Sequence, residues 1–303
     1  MATKKTTKST SATSKKAAPK RPATTVTTVK STTATSRKSA GITSKLDNNT
    51  INIVMAELIG TFILTLVALL TLQNIMPLYV GLTLALLVFG IGTVSGAHVN
   101  PAVTFGLWAA QKVKSILVPF YWGAQLLGAM GAVVVLSLVS GGNLALDFGH
   151  FGQFHQNIFA VELIGTAVFL FGFYLVLNRL DLSAGHKALG VGLSLMVGIL
   201  VASSLFSMVQ TNVDQTKISN EVNEQGQQVL KNVPHELKVK GATLNPAIAL
   251  ASTEHTDSQL QNQPAGDGEK QYSRFGMEVI VGTLLGAALG ANLARLVSYR
   301  FNI

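Results

Sequence analysis

The sequence predicts an all-α membrane protein: six membrane-spanning helices and two shorter re-entrant helices, arranged as an inverted repeat. Three observations carry this reading. Six apolar stretches follow one another along the chain, short motifs of the first half recur in order in the second, and each half carries one Asn-Pro-Ala.

The apolar stretches lie near Ile51–Leu72, Leu78–Val94, Ser115–Val139, Ile158–Val176, Ala188–Met208 and Gly276–Val297. Each is close to the roughly 20 residues that a helix needs to cross about 30 Å of hydrocarbon. Lys112 and Lys114 lie between spans two and three, Arg179 and Lys187 between four and five, and Arg295 and Arg300 at the end of six. The alternate loops, at Thr71–Pro77 and Ser140–Asn157, contain no Lys or Arg. Positive charge marks the cytoplasmic side, so both termini are expected there and the protein in the plasma membrane.

Charge is segregated. Of 23 Lys and Arg, 11 lie between Lys4 and Lys45, and no acid precedes Asp47. Residues 1–46 hold no apolar run that could offset the entropy of ordering. They are expected to form a disordered basic cytoplasmic tail, ahead of a membrane domain over residues 47–303. The tail is read as a solvated segment that helps fix orientation, more than as a binder of acidic lipid or nucleic acid. The chain has no cysteine, which excludes disulfides and thiol chemistry. No nucleotide-binding loop, metal-ligand spacing or catalytic constellation stands out. No cofactor is expected, and the chain is read as non-enzymatic.

The repeat relates residues 51–139 to 158–297. Glu57-Leu58-Ile59-Gly60-Thr61 recurs as Glu162-Leu163-Ile164-Gly165-Thr166, and Val80-Gly81-Leu82 as Val191-Gly192-Leu193. Asn100-Pro101-Ala102 recurs as Asn245-Pro246-Ala247, and Leu126-Leu127-Gly128-Ala129 as Leu284-Leu285-Gly286-Ala287. Each copy holds an odd number of spans, so the second enters the membrane from the opposite side. Inverted repeats of this kind build transport proteins. From Gly81 to Asn100 is 19 positions and from Gly192 to Asn245 is 53, a gain of 34; a further gain of 13 follows Asn245. Polar segments at about 210–240 and 254–274 supply these insertions, both on the face opposite the termini.

Non-helical backbone at membrane depth is tolerated only where protein buries it or water lines it. Gly96 and Gly241 permit such an irregular approach, and Pro101 and Pro246 suit a helix start. Asn100 and Asn245 are then N-caps, each with its amide NH₂ expected to be free to donate into a pore. Backbone carbonyls from Gly96, Ala97, His98 and Val99, and from Gly241 to Leu244 through Thr243, are expected to form a track of acceptors. Two helix N-termini pointed at one centre raise the energy of a cation there.

The stretches Ser95–Thr104 and Gly241–Ala247, the two Glu-x-x-Gly-Thr motifs and Tyr121–Ala129 resemble the aquaporin, or major intrinsic protein, family. The resemblance covers roughly Ile51–Val297. It implies an aquaporin-like fold, two Asn-Pro-Ala half-helices, a homotetramer, and passive conduction of water or small uncharged solutes such as glycerol, urea or ammonia. Water, these solutes and membrane lipids are the implied partners. With the symmetry of the pair, it favours Glu57 and Glu162 as acceptors of backbone N–H groups in the adjacent loops over proton or ion coupling. His98 is then a fixed pore-lining donor.

The chain departs from the family at the selectivity filter. The family's Arg after the second motif is replaced by Ile248, and the other filter positions map to Val80, Ile199 and Ala242, all apolar. Such a ring offers few hydrogen bonds and no charge barrier. It is either narrow and prone to dewetting or wide and permissive. Lys238, Lys240 or Arg274 from the insertions could fold back and replace the missing charge. Ala249 stands where glycerol-conducting members carry Asp. The competing readings are an ion-coupled secondary transporter and a non-conducting structural or adhesive membrane protein.

Overall fold

The computed structural model describes residues 48–71, 75–141, 145–222, 228–231, 233–263 and 270–299. The basic tail lies outside the described residues. The elements in chain order are α1 (Asn48–Leu70), α2 (Met76–Ser95), α3 (Pro101–Ala109), α4 (Val118–Ser140), β1 (Leu146–Asp147), α5 (Gln156–Asn178) and α6 (Ala184–Thr211). They continue as β2 (Ser219–Val222), β3 (Gln228–Lys231), α7 (His235–Lys238), α8 (Pro246–Ala251), α9 (Asp257–Leu260), β4 (Gln271–Tyr272) and α10 (Met277–Tyr299). Among the described residues, six helices are long and apolar enough to cross a membrane: α1, α2, α4 (with the 3-10 turn before it), α5, α6 and α10. The short α3 and α8 are the two half-helices.

Helix ends move where caps, not hydropathy, decide them. α2 starts at Met76, two residues before the apolar run, because Pro77 in its first turn has no N–H to leave unsatisfied. α6 starts at Ala184, four residues before the expected Ala188, because the Ser183 side chain caps it by accepting from the His186 N–H. Its other end continues into the polar insertion as far as Thr211.

Close packing follows the repeat. A Cβ on Gly128 of α4 would meet the Leu58 carbonyl of α1, and one on Gly286 of α10 would meet the Leu163 carbonyl of α5. These are the same contact in the two copies. Gly290 lies equally close to the Ala167 carbonyl. Between the halves, Gly81 of α2 and Gly192 of α6 each face the other's carbonyl oxygen. Small residues are required at these crossings because the helix backbones themselves touch.

The insertions, read from sequence only as polar segments, carry short strands. β2 and β3 form an antiparallel hairpin, β1 pairs parallel with β4, and Thr253 bridges Ser273. The β1–β4 pairing ties the loop after α4 to the segment before α10, on the side termed outer below.

Candidate functional site

Each Asn-Pro-Ala motif begins a half-helix. The Asn100 side chain accepts from the Ala102 N–H at 2.8 Å, and the Asn245 side chain accepts from the Ala247 N–H at 3.0 Å. Both Asn residues have extended backbone, while the residue before each is left-handed: Val99 at φ +45° and Leu244 at φ +51°. That conformation is strained for a residue with a Cβ, most of all for a β-branched one.

A buried carboxylate holds each strained turn. Glu57 Oε1 accepts from the His98 N–H (2.9 Å) and Oε2 from the Val99 N–H (2.7 Å). Glu162 does the same for Thr243 and Leu244, at 2.9 Å each. The copies then diverge. Glu57 also accepts from the Ser95 hydroxyl (2.6 Å) and the Gln125 amide (2.8 Å), which are uncharged. The repeat counterpart of Gln125 is Thr283, which bonds to its own helix at Val279. Beside Glu162 the additional cation is Arg274, with Nη2 at 3.7 Å. Gln125 and Ser95 were not singled out from sequence; an amide one position before a repeated Leu-Leu-Gly-Ala is the signal that was present.

The left-handed residues aim their carbonyls across the repeat axis. Asn100 Nδ2 donates to the Leu244 carbonyl at 2.9 Å, and Asn245 Nδ2 donates to the Val99 carbonyl at 3.0 Å. This narrows two expectations. Each Asn amide has one of its two N–H groups committed to the opposite loop, so the NH₂ is not wholly free. The Val99 and Leu244 carbonyls each spend one of two acceptor sites on the opposite Asn.

A small chamber of about 10 Å³ lies at this crossing, bounded by Asn100, Asn245, His98, Thr243 and apolar side chains that include Leu64, Phe169 and Leu195. That is about the space one water needs. An outer cavity of about 450 Å³ opens above it. Val80, Ile199, Ile248 and Thr243 border both spaces, so they form the neck between them. Ala242 and Gly241 border the outer cavity, whereas Gly96 and Ala97 border neither. His98 is held in place: its Nδ1 lies 3.1 Å from the Thr104 hydroxyl and its ring stacks on Tyr121. Glu57 and Glu162 border neither space.

The outer cavity is not free of charge. Arg274 and Lys240 both line it. The Arg274 Nη1 lies 3.2 Å from Glu278 Oε1, and the side chain is nearly fully buried. Lys240 Nζ donates to the Thr253 hydroxyl at 3.0 Å, and burial holds its ammonium below the usual lysine range. Lys238 instead pairs with Asp257 at 3.2 Å. Of the three cations that could fold back from the insertions, Lys240 and Arg274 line the outer cavity and Lys238 does not, while the ring of Val80, Ile199, Ala242 and Ile248 itself carries no charge.

Comparison with known proteins bears on this geometry. A family model described as major intrinsic protein matches residues 70–212. Over those residues, just under half of its length, the chain is similar to the major intrinsic protein family. The lens fiber major intrinsic protein of Oryctolagus cuniculus is 40% identical over 125 residues, which are 40% of this chain and 48% of that relative. Aquaporin Z of Photorhabdus laumondii is 31% identical over 137 residues, covering 40% of this chain and 58% of the relative. The chain spans about half the length of the curated relatives it matches. An X-ray structure of the aquaglyceroporin from Plasmodium falciparum shares the fold, with a TM-score of 0.50 and 19% identity over 83% of this chain and 96% of that one. The major intrinsic protein match includes Asn100 and ends at residue 212, at the start of the insertion that precedes Asn245.

Proposed function

We propose that this chain is a passive membrane channel, not an enzyme, which passes water and small uncharged solutes in single file through the neck at Val80, Ile199 and Ile248. The observation that carries this reading is the chamber of about 10 Å³ between two Asn residues whose amides cross to the opposite loops. A space of one water admits a file of water and disfavours polyols on size. The Ile248 ring is accordingly narrow rather than permissive. Ammonia fits the same space, and glycerol and urea pass poorly.

Ions are opposed twice. The N-termini of α3 and α8 converge on the chamber with their positive dipole ends. Lys240 adds positive charge at the outer mouth, where the neighbouring Arg274 is paired with Glu162 and Glu278. The ion-coupled reading lacks a carboxylate facing either space, since Glu57 and Glu162 are occupied by loop N–H groups. In the same reading both termini are cytoplasmic, the membrane is the plasma membrane, and the apolar outer faces of the helices meet lipid or other subunits of a homotetramer. Leu127, Leu138 and Leu285 are among the exposed side chains on those faces.

Stopped-flow permeability of liposomes tests the proposal. Water flux is expected to exceed glycerol flux by at least about 10-fold and to be indifferent to ion gradients. Ile248→Ala is expected to raise glycerol flux. Equal water and glycerol fluxes in the native protein, or flux that requires an ion gradient, would overturn it.

A further inference from the structure

The outer insertions bring together side chains that are scattered in sequence. His150 comes from the loop after α4, His155 caps α5, His235 opens α7, Glu254 follows α8, and Glu278 lies in the first turn of α10. Their ligand atoms form two overlapping groups, His150–His235–Glu254 and His155–His235–Glu278, each with all atoms within 4.8 Å of one another. His235 is common to both, and its Nε2 faces Glu254 and Glu278 alike.

The geometry suits a metal better than a hydrogen-bond network. His150 Nδ1 lies 2.9 Å from Glu254 Oε2. His235 Nε2 lies 3.6 Å from Glu254 Oε1 and 3.5 Å from Glu278 Oε1. Ligands at about 2.0–2.1 Å from a tetrahedral ion stand about 3.3 Å apart, within the range of these gaps. His235, Glu254 and Glu278 are all more than nine-tenths buried. Yet His235 Nε2 and Glu278 Oε2 are buried without any hydrogen-bond partner, as is His155 Nδ1. Buried polar atoms are rarely left so.

Charge points the same way. Glu162, Glu254 and Glu278 form a buried acidic group. Among the described residues, Arg274 is the only Lys or Arg in ion-pair contact with any of them. Within the cluster Glu254 and Glu278 face one guanidinium, which Glu162 shares, and the acidic excess is of the sign that a cation balances. The rings are already fixed for the task. His150 stacks on Tyr272 with centroids 3.6 Å apart, His155 stacks on His235 at 4.4 Å, and His150 stands edge-on to His235.

We propose that His150 Nδ1, His235 Nε2, Glu254 and Glu278 bind one divalent transition-metal ion, of which zinc is the best fit, and that the ion staples the outer insertions over the channel mouth. Two imidazoles and two carboxylates favour zinc over magnesium or calcium, which take oxygen donors alone. His155 is a positioning residue that holds the His235 ring. The ion joins the loop after α4, α7, the segment after α8 and α10. It sits beside Arg274 through their shared neighbour Glu278.

The test uses full-length, tag-free protein in detergent, stripped with a chelator and titrated with zinc chloride. One zinc per chain is expected, with a rise in Tm of several degrees at saturating zinc and no effect of calcium. Cobalt is expected to give the visible absorption of a tetrahedral site. His235→Ala and Glu254→Gln should each weaken zinc binding by at least about 100-fold, while His186→Ala, at the exposed start of α6, should leave it unchanged. His150→Gln is the milder alternative should a variant fail to elute as a monodisperse species; it should weaken binding by at least about 10-fold. No zinc binding by the native protein at micromolar concentrations would overturn the proposal. Binding that survives all three substitutions would overturn it as well.

Discussion

Replacing Glu57 by glutamine keeps the shape of the side chain and removes half its acceptors. In the native protein two oxygens receive four donors: Ser95 Oγ and the His98 N–H on Oε1, and the Val99 N–H and Gln125 Nε2 on Oε2. The amide retains one oxygen, so two of the four donors must face an NH₂ group. Hydrogen bonds to a charged partner contribute about 1.5–3 kcal/mol each, so the gross loss is about 3–6 kcal/mol. A neutral amide is easier to bury than a carboxylate, which offsets part of this. The left-handed backbone at Val99, worth about 1–2 kcal/mol of strain, is then no longer opposed. A net destabilisation of about 2–4 kcal/mol is expected, or a Tm lower by about 5–15 °C at this chain size. Glu162→Gln should cost at least as much, because buried Arg274 loses one of its two carboxylates. Thermal unfolding in detergent and water flux per folded channel measure the two consequences. A Glu57→Gln protein that melts within about 1 kcal/mol of native and conducts normally would refute the carboxylate clamp.

Asn100→Ala removes both the α3 cap and the bond to the Leu244 carbonyl; a loss of about 2–3 kcal/mol and increased proton leak are expected, measured by melting and by a pH-sensitive dye in liposomes. Ile248→Arg would place a third cation beside Lys240 and Arg274 and a longer side chain between the outer cavity and the chamber of about 10 Å³, so water flux should fall several-fold rather than gain a conventional filter, as stopped-flow measurement would show. Burial lowers the Lys240 pKa beneath its ordinary 10.5, so the unfolded chain binds the extra proton between the two values. Native stability relative to Lys240→Met should therefore rise as pH is raised through that window and be lost as pH falls through the lowered pKa; pH-dependent melting of the two proteins checks the sign. Gly286→Val would press into the Leu163 carbonyl and should prevent correct folding, whereas Gly123→Ala, which meets nothing, should be neutral in expression and melting.

The spans were legible because a helix in hydrocarbon must be apolar over its length, and composition records that directly. The repeat was legible because each Glu, each Gly crossing and each Asn-Pro-Ala does the same backbone task twice. Helix ends were less so: Ser183 and Pro77 set them by local bonds that hydropathy does not register. The place of Arg274 was legible only as one of three candidate cations, since an inserted loop has no repeat partner to fix it. His150, His155, His235, Glu254 and Glu278 carried no legible spacing, because their juxtaposition depends on β1 pairing with β4 across more than 120 residues.

By itself, then, the sequence determined the class, the six spans and the inverted halves, which follow from local composition and repetition, while the filter positions were implied only by the family resemblance. Only the tertiary structure decided that each Asn reaches the opposite loop's carbonyl, that the chamber between them holds about 10 Å³, and that Arg274 and Lys240 line the outer cavity. Those features depend on how far apart non-adjacent backbones come to rest, and side-chain identity sets that distance only after every helix crossing has been packed.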